Sequence, residues 1–295
     1  MRGRLANNPY LLLALAALFW SGNHIIGRAV AGQVPPFGLS TLRWLLPALV
    51  LLPAAWPHLV RDWPLIKAHW RILFFLTLTG GALFSALQYV GLQYTTALNV
   101  SVLNSLVPVL IVAASALIFG ERLHPRQAVG IATSLAGVLV IVSRIDLQAL
   151  AALQFNIGDL IILFNMTAWA VFSCYLRLRP KIHWLSFMTI VAVGSTLMTA
   201  PFFAIEHLSG FTFKPTWLTL FAVLYVAIFP SVAALAAWNR GVELLGANRA
   251  GPFLHLVPLY SAVLAYTLLG EQLHLYHLLG FALILGGVYS ASRRS

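Results

Sequence analysis

The sequence predicts an all-α polytopic membrane protein, with ten transmembrane helices arranged as two inverted repeats of five helices. Three observations lead to this fold class. First, 60% of the 295 residues are hydrophobic and 8% are charged, whereas about a quarter of the residues of a soluble domain are charged. Second, the apolar residues form ten long runs. Third, the second half of the chain repeats motifs of the first half.

The apolar runs define the ten predicted helices. Each run is close to the ~20 residues that a helix needs to cross a bilayer, and together they take up roughly two thirds of the chain. The basic start "MRGR" is also typical of a secretory signal peptide, but the polar residues Asn23 and His24 inside the first run favour a membrane helix. The runs are residues 9–30, 37–56, 70–92, 97–119, 125–143, 158–176, 184–205, 217–240, 247–269 and 275–291.

The basic residues predict the topology. With a cytoplasmic amino terminus, every lysine and arginine lies on the inner side except Arg28, Arg43, Arg144 and Lys214, which follows the positive-inside rule. Both termini are then cytoplasmic, and the protein is predicted to be a multi-pass membrane protein. The net charge of +11 is scattered over short loops and forms no patch the size of a nucleic-acid groove. The predicted partners are therefore the lipid bilayer and a small-molecule substrate, and no nucleic acid.

The two halves match at an offset of about 150 residues. The matching motifs are Leu106-Val107-Pro108 with Leu256-Val257-Pro258, Gly120-Glu121 with Gly270-Glu271, Gly130 with Gly280, and Gly137 with Gly287. The chain is thus predicted to consist of two five-helix repeats, residues 1–148 and 149–295. Because five is odd, the second repeat must enter the membrane from the opposite side.

The stretch "GERLH" at residues 120–124, repeated as "GEQLH" at 270–274, agrees with the inversion. The first copy is predicted to be cytoplasmic and carries Arg122, whereas the second is predicted to be outside and carries Gln272. We expect the glutamate and the histidine of each stretch to serve the junction between two helices.

Several motifs resemble the drug/metabolite transporter superfamily, EamA type. They are the helices of Trp20 and Trp169 that open each half, "LRW" around Arg43, and the "P…GE.L" pattern that ends the fourth and ninth spans. The resemblance covers the whole chain, although each motif alone is loose, and within the family it is strongest to bacterial exporters of aromatic amino acids. It implies ten helices around a central cavity and the export of aromatic amino acids, or related flat metabolites and drugs, by alternating access.

Six of the spans carry a polar or aromatic stripe at helical spacing. Polar side chains at membrane depth must face a partner helix or water, so these stripes predict a common substrate cavity. The alternative, that small and amide residues only hold helices together, stays open for the serines. The predicted cavity residues are Trp20, Asn23, His24, Gln88, Tyr89, Ser101, Asn104, Ser105, Trp169, Ser173, Trp238, Asn239 and His255.

Glycines and prolines predict interruptions of the helices near the midplane, where inverted-repeat transporters bind substrate. A proline frees a backbone carbonyl that hydrocarbon cannot satisfy. A structural kink packed in protein is an equal alternative for any one of them. The residues are Gly80, Gly81, Pro108, Pro230, Pro252 and Pro258.

An aromatic, amide-bearing cavity suits a substrate with a flat apolar side chain and a zwitterionic head. It suits a flat organic cation equally well, and only the family resemblance favours the amino acid. All seven acidic residues fall at or near the ends of spans, which predicts facilitated export. Proton coupling through His24 or His255 is the alternative. Arg43 lies inside a span without an obvious acid partner. We expect it to reach backbone carbonyls, a helix end or the interface, with a bond to a substrate carboxylate as the alternative.

The sequence contains no phosphate-binding loop, no H-E-x-x-H motif and no cluster of metal ligands. It therefore predicts a protein that is not an enzyme and that has no cofactor or bound metal. An integral-membrane enzyme and a channel remain the rivals from other classes. The sequence does not set the oligomeric state, and a monomer is compatible with it.

Overall fold

The computed structural model describes residues 8–30, 32–95, 100, 103–143, 156–269 and 275–292, and within these it contains helices and no strands. The described residues form ten helical units, which we number α1 to α10. Their bounds are Pro9–Ala29 (α1), Pro36–Ala68 (α2), Trp70–Tyr94 (α3), Val107–Phe119 (α4), Pro125–Ser143 (α5), Ile157–Tyr175 (α6), Trp184–Leu208 (α7), Trp217–Leu245 (α8), residues 247–269 (α9) and Leu275–Ser292 (α10).

Six of these units, α1, α2, α3, α6, α7 and α8, are long and apolar enough to cross a membrane, counted over the described residues. The units α4, α5 and α10 are shorter apolar helices. The prediction of an all-helical polytopic membrane protein is confirmed at this level. The number of ten spans, the inversion and the cytoplasmic termini stay predictions.

The helix α2 is longer than its apolar run, so the predicted boundary at residue 56 is wrong. It has 33 residues and contains four prolines in its interior, in addition to Pro36 at its start. Its polar last turns are held by α7, because the carboxylate of Asp62 accepts hydrogen bonds from the backbone N–H of His183 at 2.7 Å and from the hydroxyl of Ser186 at 2.8 Å. At the start of α2, the backbone N–H groups of Phe37 and Gly38 donate hydrogen bonds to the carboxylate of Glu206, near the end of α7. The helices α2 and α7 are therefore antiparallel and tied at both ends.

The helices α5 and α10 are also antiparallel and meet at glycines. A Cβ atom on Gly130 would lie 2.7 Å from the carbonyl oxygen of Gly287, and one on Gly137 would lie 2.7 Å from that of Gly280. Only glycine permits backbones to approach this closely. The glycines that touch are not the glycines that match between the two halves of the sequence: Gly130 matches Gly280 but touches Gly287. We call this contact the glycine seam.

The helices α3 and α8 each contain a π-helical segment at matching positions, Leu78–Leu83 and Ala227–Ala233. Pro230 has no N–H, and the carbonyl of Val226 instead accepts a hydrogen bond from the hydroxyl of Ser231 at 2.6 Å. In α3, a Cβ atom on Gly80 would lie 2.3 Å from the ring of Phe172. The two segments thus bring backbone and short side chains to the centre of the molecule, where α6 packs on α3 and α4, and α1 packs on α8 and α9.

Candidate functional site: a tryptophan cluster and its vestibule

Three indole rings from three helices meet at the centre of the molecule. The ring of Trp20 in α1 lies 5.1 Å from that of Trp169 in α6 and 5.6 Å from that of Trp238 in α8, and the last two are 5.9 Å apart. Each side chain is at most 5% exposed. The rings of Phe84 and Phe172 contact Trp169 at 4.4 and 5.0 Å. These side chains form a closed aromatic layer, which we call the tryptophan cluster.

The cluster is fixed by one hydrogen bond and leaves little free space. The indole N–H of Trp20 donates to the carbonyl of Pro230 at 3.1 Å, within the π-helical segment of α8. A gap of about 40 Å³ lies between Trp20 and Trp169, far less than the ~300 Å³ or more of a small-molecule pocket. An aromatic amino acid can enter only if the rings move. The other residues around this gap are Phe84, Asn104, Val107, Met166, Leu254 and Val257.

A vestibule of about 700 Å³ opens at the surface of the protein, and two of its lining residues, Ser173 and Asn239, directly follow the cluster residues Phe172 and Trp238 in the chain. Its deep end contains the buried side chains of Ser173 and Asn239, and its mouth carries Arg177, Arg179 and Lys181. A second cavity of about 700 Å³, lined mainly by apolar side chains of α1, α7 and α8, shares Asn239 and Arg179 with it. Cavities of this size hold small molecules.

Several buried polar atoms near the cluster have no hydrogen-bond partner in the described part of the chain. Buried polar groups are nearly always paired, so these atoms are suited to water or to a polar ligand. They include the Ser173 hydroxyl and both amide atoms of Asn239 at the vestibule, together with Asn23 Nδ2, Gln88 Nε2, Asn165 Oδ1 and Trp238 Nε1.

Arg43 is a central residue that the sequence analysis did not include in the site. Its side chain is 1% exposed. Its Nε donates to the hydroxyl of Ser231 at 2.6 Å and its Nη1 to the hydroxyl of Tyr89 at 3.2 Å, which in turn donates to Asn23 Oδ1 at 2.9 Å. The expectation that Arg43 reaches backbone carbonyls, a helix end or the interface is therefore wrong. The available signal was a single charge in the middle of an apolar run.

The structure brings most of the predicted cavity residues to these features. Trp20, Trp169 and Trp238 form the cluster, and Asn104 lines its gap. Ser173 and Asn239 lie in the vestibule. Gln88 is buried beside the cluster, where its Oε1 accepts from Asn165 Nδ2 at 3.2 Å. Asn23 and Tyr89 belong to the hydrogen-bond chain that begins at Arg43.

His255 and Ser105 are placed differently. The imidazole of His255 in α9 is buried, with Nδ1 2.6 Å from the hydroxyl of Ser134 in α5 and Nε2 2.8 Å from the backbone oxygen of Ser105 in the turn before α4. It joins α9 to α5 and to this turn, and it lines none of the cavities named above. Ser101 and the side chain of His24 lie outside the described residues.

The predicted interruptions fall in different kinds of structure. Gly80, Gly81 and Pro230 lie in the π-helical segments of α3 and α8. Pro252 lies in a 3₁₀ turn, Gly251–His255, inside α9. The remaining two prolines each lie in the first turn of an α-helix: Pro108 in α4, and Pro258 in the segment Leu256–Leu269 of α9.

Ion pairs surround the mouth of the vestibule. Glu121, from the "GERLH" stretch, accepts from the hydroxyl of Ser115 at 2.5 Å, from Arg177 and from Asn248 Nδ2 at 2.8 Å, so it joins α4 to the ends of α6 and α9 across the two halves. Burial raises the pKa of Glu121, but the hydrogen bonds of Ser115 and Arg177 and the charge of Arg177 outweigh this and hold the pKa below its usual value. Glu243 accepts from Arg179 and pairs with Arg240 at 3.1 Å.

Comparison with known proteins gives a consistent result. Residues 7–143 and 156–293 each match the EamA-like transporter family. An uncharacterized transporter of Archaeoglobus fulgidus is 32% identical over 96% of both chains. A probable amino-acid metabolite efflux pump of Salmonella typhimurium is 25% identical, over 94% of this chain and 92% of that protein. A crystal structure with 23% identity superposes with a TM-score of 0.72 over 96% of both chains, which shows a shared fold.

Proposed function

Because this chain belongs to the EamA-like transporter family, and its relatives are transporters and not enzymes, we propose that it exports amino acids from the cytoplasm by alternating access. The preferred substrates are aromatic amino acids and related flat metabolites or drugs. One observation carries this proposal, namely the closed cluster of three tryptophans, next to which Ser173 and Asn239 line a vestibule of about 700 Å³. A relative named as a probable amino-acid metabolite efflux pump supports the substrate class.

The side of the membrane that the vestibule faces follows from charge. The vestibule opens between Arg177, Arg179 and Lys181, and the positive-inside rule assigns these residues to the cytoplasm. The described conformation is then open to the cytoplasm and closed at the cluster. The antiparallel pairs α2/α7 and α5/α10 support ten spans in two inverted halves, because an axis in the membrane plane makes equivalent helices run in opposite directions. This topology places both termini in the cytoplasm of a bacterial cell.

The chemistry of the site favours a zwitterion with a ring. Indole faces stack on an aromatic side chain. The unpaired amide of Asn239 offers a donor to a carboxylate and an acceptor to an ammonium group. A flat cation could also stack on the indoles. However, the described carboxylates at the vestibule, Glu121 and Glu243, are each paired with arginine, so they offer little attraction to a cation.

Facilitated export is supported by the position of the titratable groups. Among the described residues, Asp62 and Glu206 tie the ends of α2 and α7. Both ring nitrogens of His255 are engaged by Ser134 and Ser105. None of these groups borders the tryptophan cluster. His24 is the remaining candidate for proton coupling.

The test is counterflow in proteoliposomes that are preloaded with phenylalanine, tyrosine, tryptophan or the flat cation ethidium, with a pH-sensitive dye inside. We expect saturable exchange of labelled phenylalanine and no change of internal pH. Exchange of ethidium alone would assign the protein to the cation exporters. A substrate-driven pH change that is lost in His24→Ala or His255→Ala would replace facilitated export with proton coupling, and flux that does not saturate would indicate a channel.

A further inference from the structure

We propose that Arg43 binds the carboxylate of the transported amino acid, at a subsite that borders the tryptophan cluster. This inference rests on the proposed function and deepens it, because it assigns a recognition element for the substrate head group. It applies to carboxylate-bearing substrates as a class.

The buried charge of Arg43 has no opposite charge beside it among the described residues. A buried charge is costly unless it is paired with an opposite charge. Within the described ranges the carboxylates are all engaged elsewhere, and none of them pairs with Arg43. The groups that Arg43 bonds, the hydroxyls of Ser231 and Tyr89, are neutral. The chain therefore holds a cation at its centre that its described residues do not neutralise.

The donor geometry is the second argument. A guanidinium group carries five N–H donors in a planar fork that matches the two oxygens of a carboxylate. Nε and Nη1 of Arg43 are used for Ser231 and Tyr89, and Nη2 donates to no group in the described part of the chain. Asn23 is linked to Arg43 through the hydroxyl of Tyr89. Its Nδ2 is buried and also without a partner. A carboxylate oxygen can accept a hydrogen bond from each of these two donors.

The position of Arg43 beside the cluster is the third argument. Arg43 lines a narrow gap together with the rings of Trp20, Phe84 and Trp169, and the same three rings border the gap beside Asn104. A substrate whose ring separates the indoles therefore brings its head group to the guanidinium. The π-helical segments of α3 and α8 also border this gap, through Gly80 and Pro230, so binding here contacts the interrupted helices of both halves.

The experiment compares Arg43→Gln and Arg43→Lys with Arg71→Gln, a control at an exposed arginine. The probes are phenylalanine, phenethylamine, which lacks the carboxylate, and 3-phenylpropionate, which lacks the amine. The readouts are KM in counterflow and the ligand-induced shift of thermal unfolding of the purified protein. In Arg43→Gln we expect the KM for phenylalanine to rise about 30-fold or more and the shift by 3-phenylpropionate to be lost, while phenethylamine is affected little.

Arg43→Lys retains the charge but not the planar fork, and we expect it to weaken phenylalanine less than Arg43→Gln does. It also keeps the test informative if the glutamine variant does not fold, because the loss must again be selective for carboxylate probes. Equal losses for phenylalanine and phenethylamine, or an unchanged KM for phenylalanine, would refute the subsite. Wild-type protein that is stabilised by neither carboxylate probe would refute it as well.

The outcome also separates this inference from the proposed function. If the wild-type protein is stabilised by 3-phenylpropionate through Arg43 but moves no amino acid, the subsite stands and amino-acid export is wrong. If Arg43→Gln exports phenylalanine with the KM of the wild type, export stands and the subsite is wrong.

Discussion

At the scale of single residues, Trp169 holds the tryptophan cluster together. Its ring contacts those of Trp20, Phe84, Phe172 and Trp238, so no other ring in the described cluster has as many aromatic neighbours. The residue lies where the ring of a substrate must enter, because it borders both described gaps of the cluster. Its removal is the most direct test of the cluster.

For Trp169→Ala we expect the KM for phenylalanine in counterflow to rise about two- to tenfold, since an aromatic pair contributes ~0.5–1.5 kcal/mol beyond burial. Trp169→Phe should retain most of the affinity. The matched control is Trp56→Ala, because Trp56 is 62% exposed on α2 and should not affect KM. An unchanged KM in Trp169→Ala would remove the cluster from the substrate path.

The titration of Glu121 should make the stability of the folded protein depend on pH. Its pKa in the folded protein is below the usual value, so its contacts stabilise the fold fully above the unfolded pKa of about 4.3. This contribution is lost as the pH falls through the lower, folded pKa. Because the pair with Arg177 is partly exposed, we expect a loss below about 1 kcal/mol.

The measurement for Glu121 is thermal unfolding in detergent between pH 7 and pH 3. Wild-type protein should lose more stability over this range than Glu121→Gln, which has no carboxylate to titrate. Glu243→Gln serves as a comparison at another paired carboxylate of the vestibule mouth. Parallel curves for the wild type and Glu121→Gln would show that the contacts of the Glu121 carboxylate with Ser115, Arg177 and Asn248 make no pH-dependent contribution to stability.

At the scale of elements, the glycine seam predicts a sharp difference between two alanine substitutions. In Gly137→Ala the new Cβ meets the backbone of α10 at 2.7 Å, whereas at Gly286 no atom lies within 4 Å. Alanine favours a helix over glycine by ~1 kcal/mol, and overpacking costs ~1–3 kcal/mol.

We therefore expect Gly137→Ala to unfold at a lower temperature than the wild-type protein, and Gly286→Ala to unfold at the same or a higher temperature. Thermal unfolding in one detergent measures both. If Gly137→Ala were as stable as Gly286→Ala, the close approach of α5 and α10 would be wrong.

Most helices could be predicted from the sequence because an apolar run and a membrane helix have nearly the same bounds, as in α5 and α10. The end of α2 could not, since it depends on the hydrogen bonds of Asp62 to α7. The glycines and Pro230 pointed to interrupted helices in α3 and α8, but not to π-helical geometry. The partners of Arg43 were beyond prediction, because Tyr89 and Ser231 lie 46 and 188 residues away in the chain.

At the scale of the whole molecule, the mouth of the vestibule carries basic residues that the predicted topology places in the cytoplasm, so access to Asn239 should depend on the side of the membrane. The sequence has a single cysteine, Cys174, which allows a clean reporter. In a Cys174→Ser background, we expect Asn239→Cys to react with a membrane-impermeant maleimide in inside-out vesicles and much less in right-side-out vesicles.

Phenylalanine should slow this labelling, because it occupies the vestibule and drives the change of conformation. The control is Ser209→Cys, at the exposed turn after α7, which the predicted topology places outside. It should show the reverse preference. Equal labelling of Asn239→Cys from both sides, insensitive to substrate, would indicate an open pore and contradict alternating access.

The glycine seam has one more consequence. Because Gly130 touches Gly287 while Gly137 touches Gly280, the two faces that meet there are nearly the same surface, each complementary to itself in the reverse direction. A separate five-helix polypeptide with this face would find its best partner in a second copy inserted upside down. Under the predicted inversion, the present chain is such a pair made permanent by one covalent connection, which frees each half to specialise, as Arg43 in the first half has done.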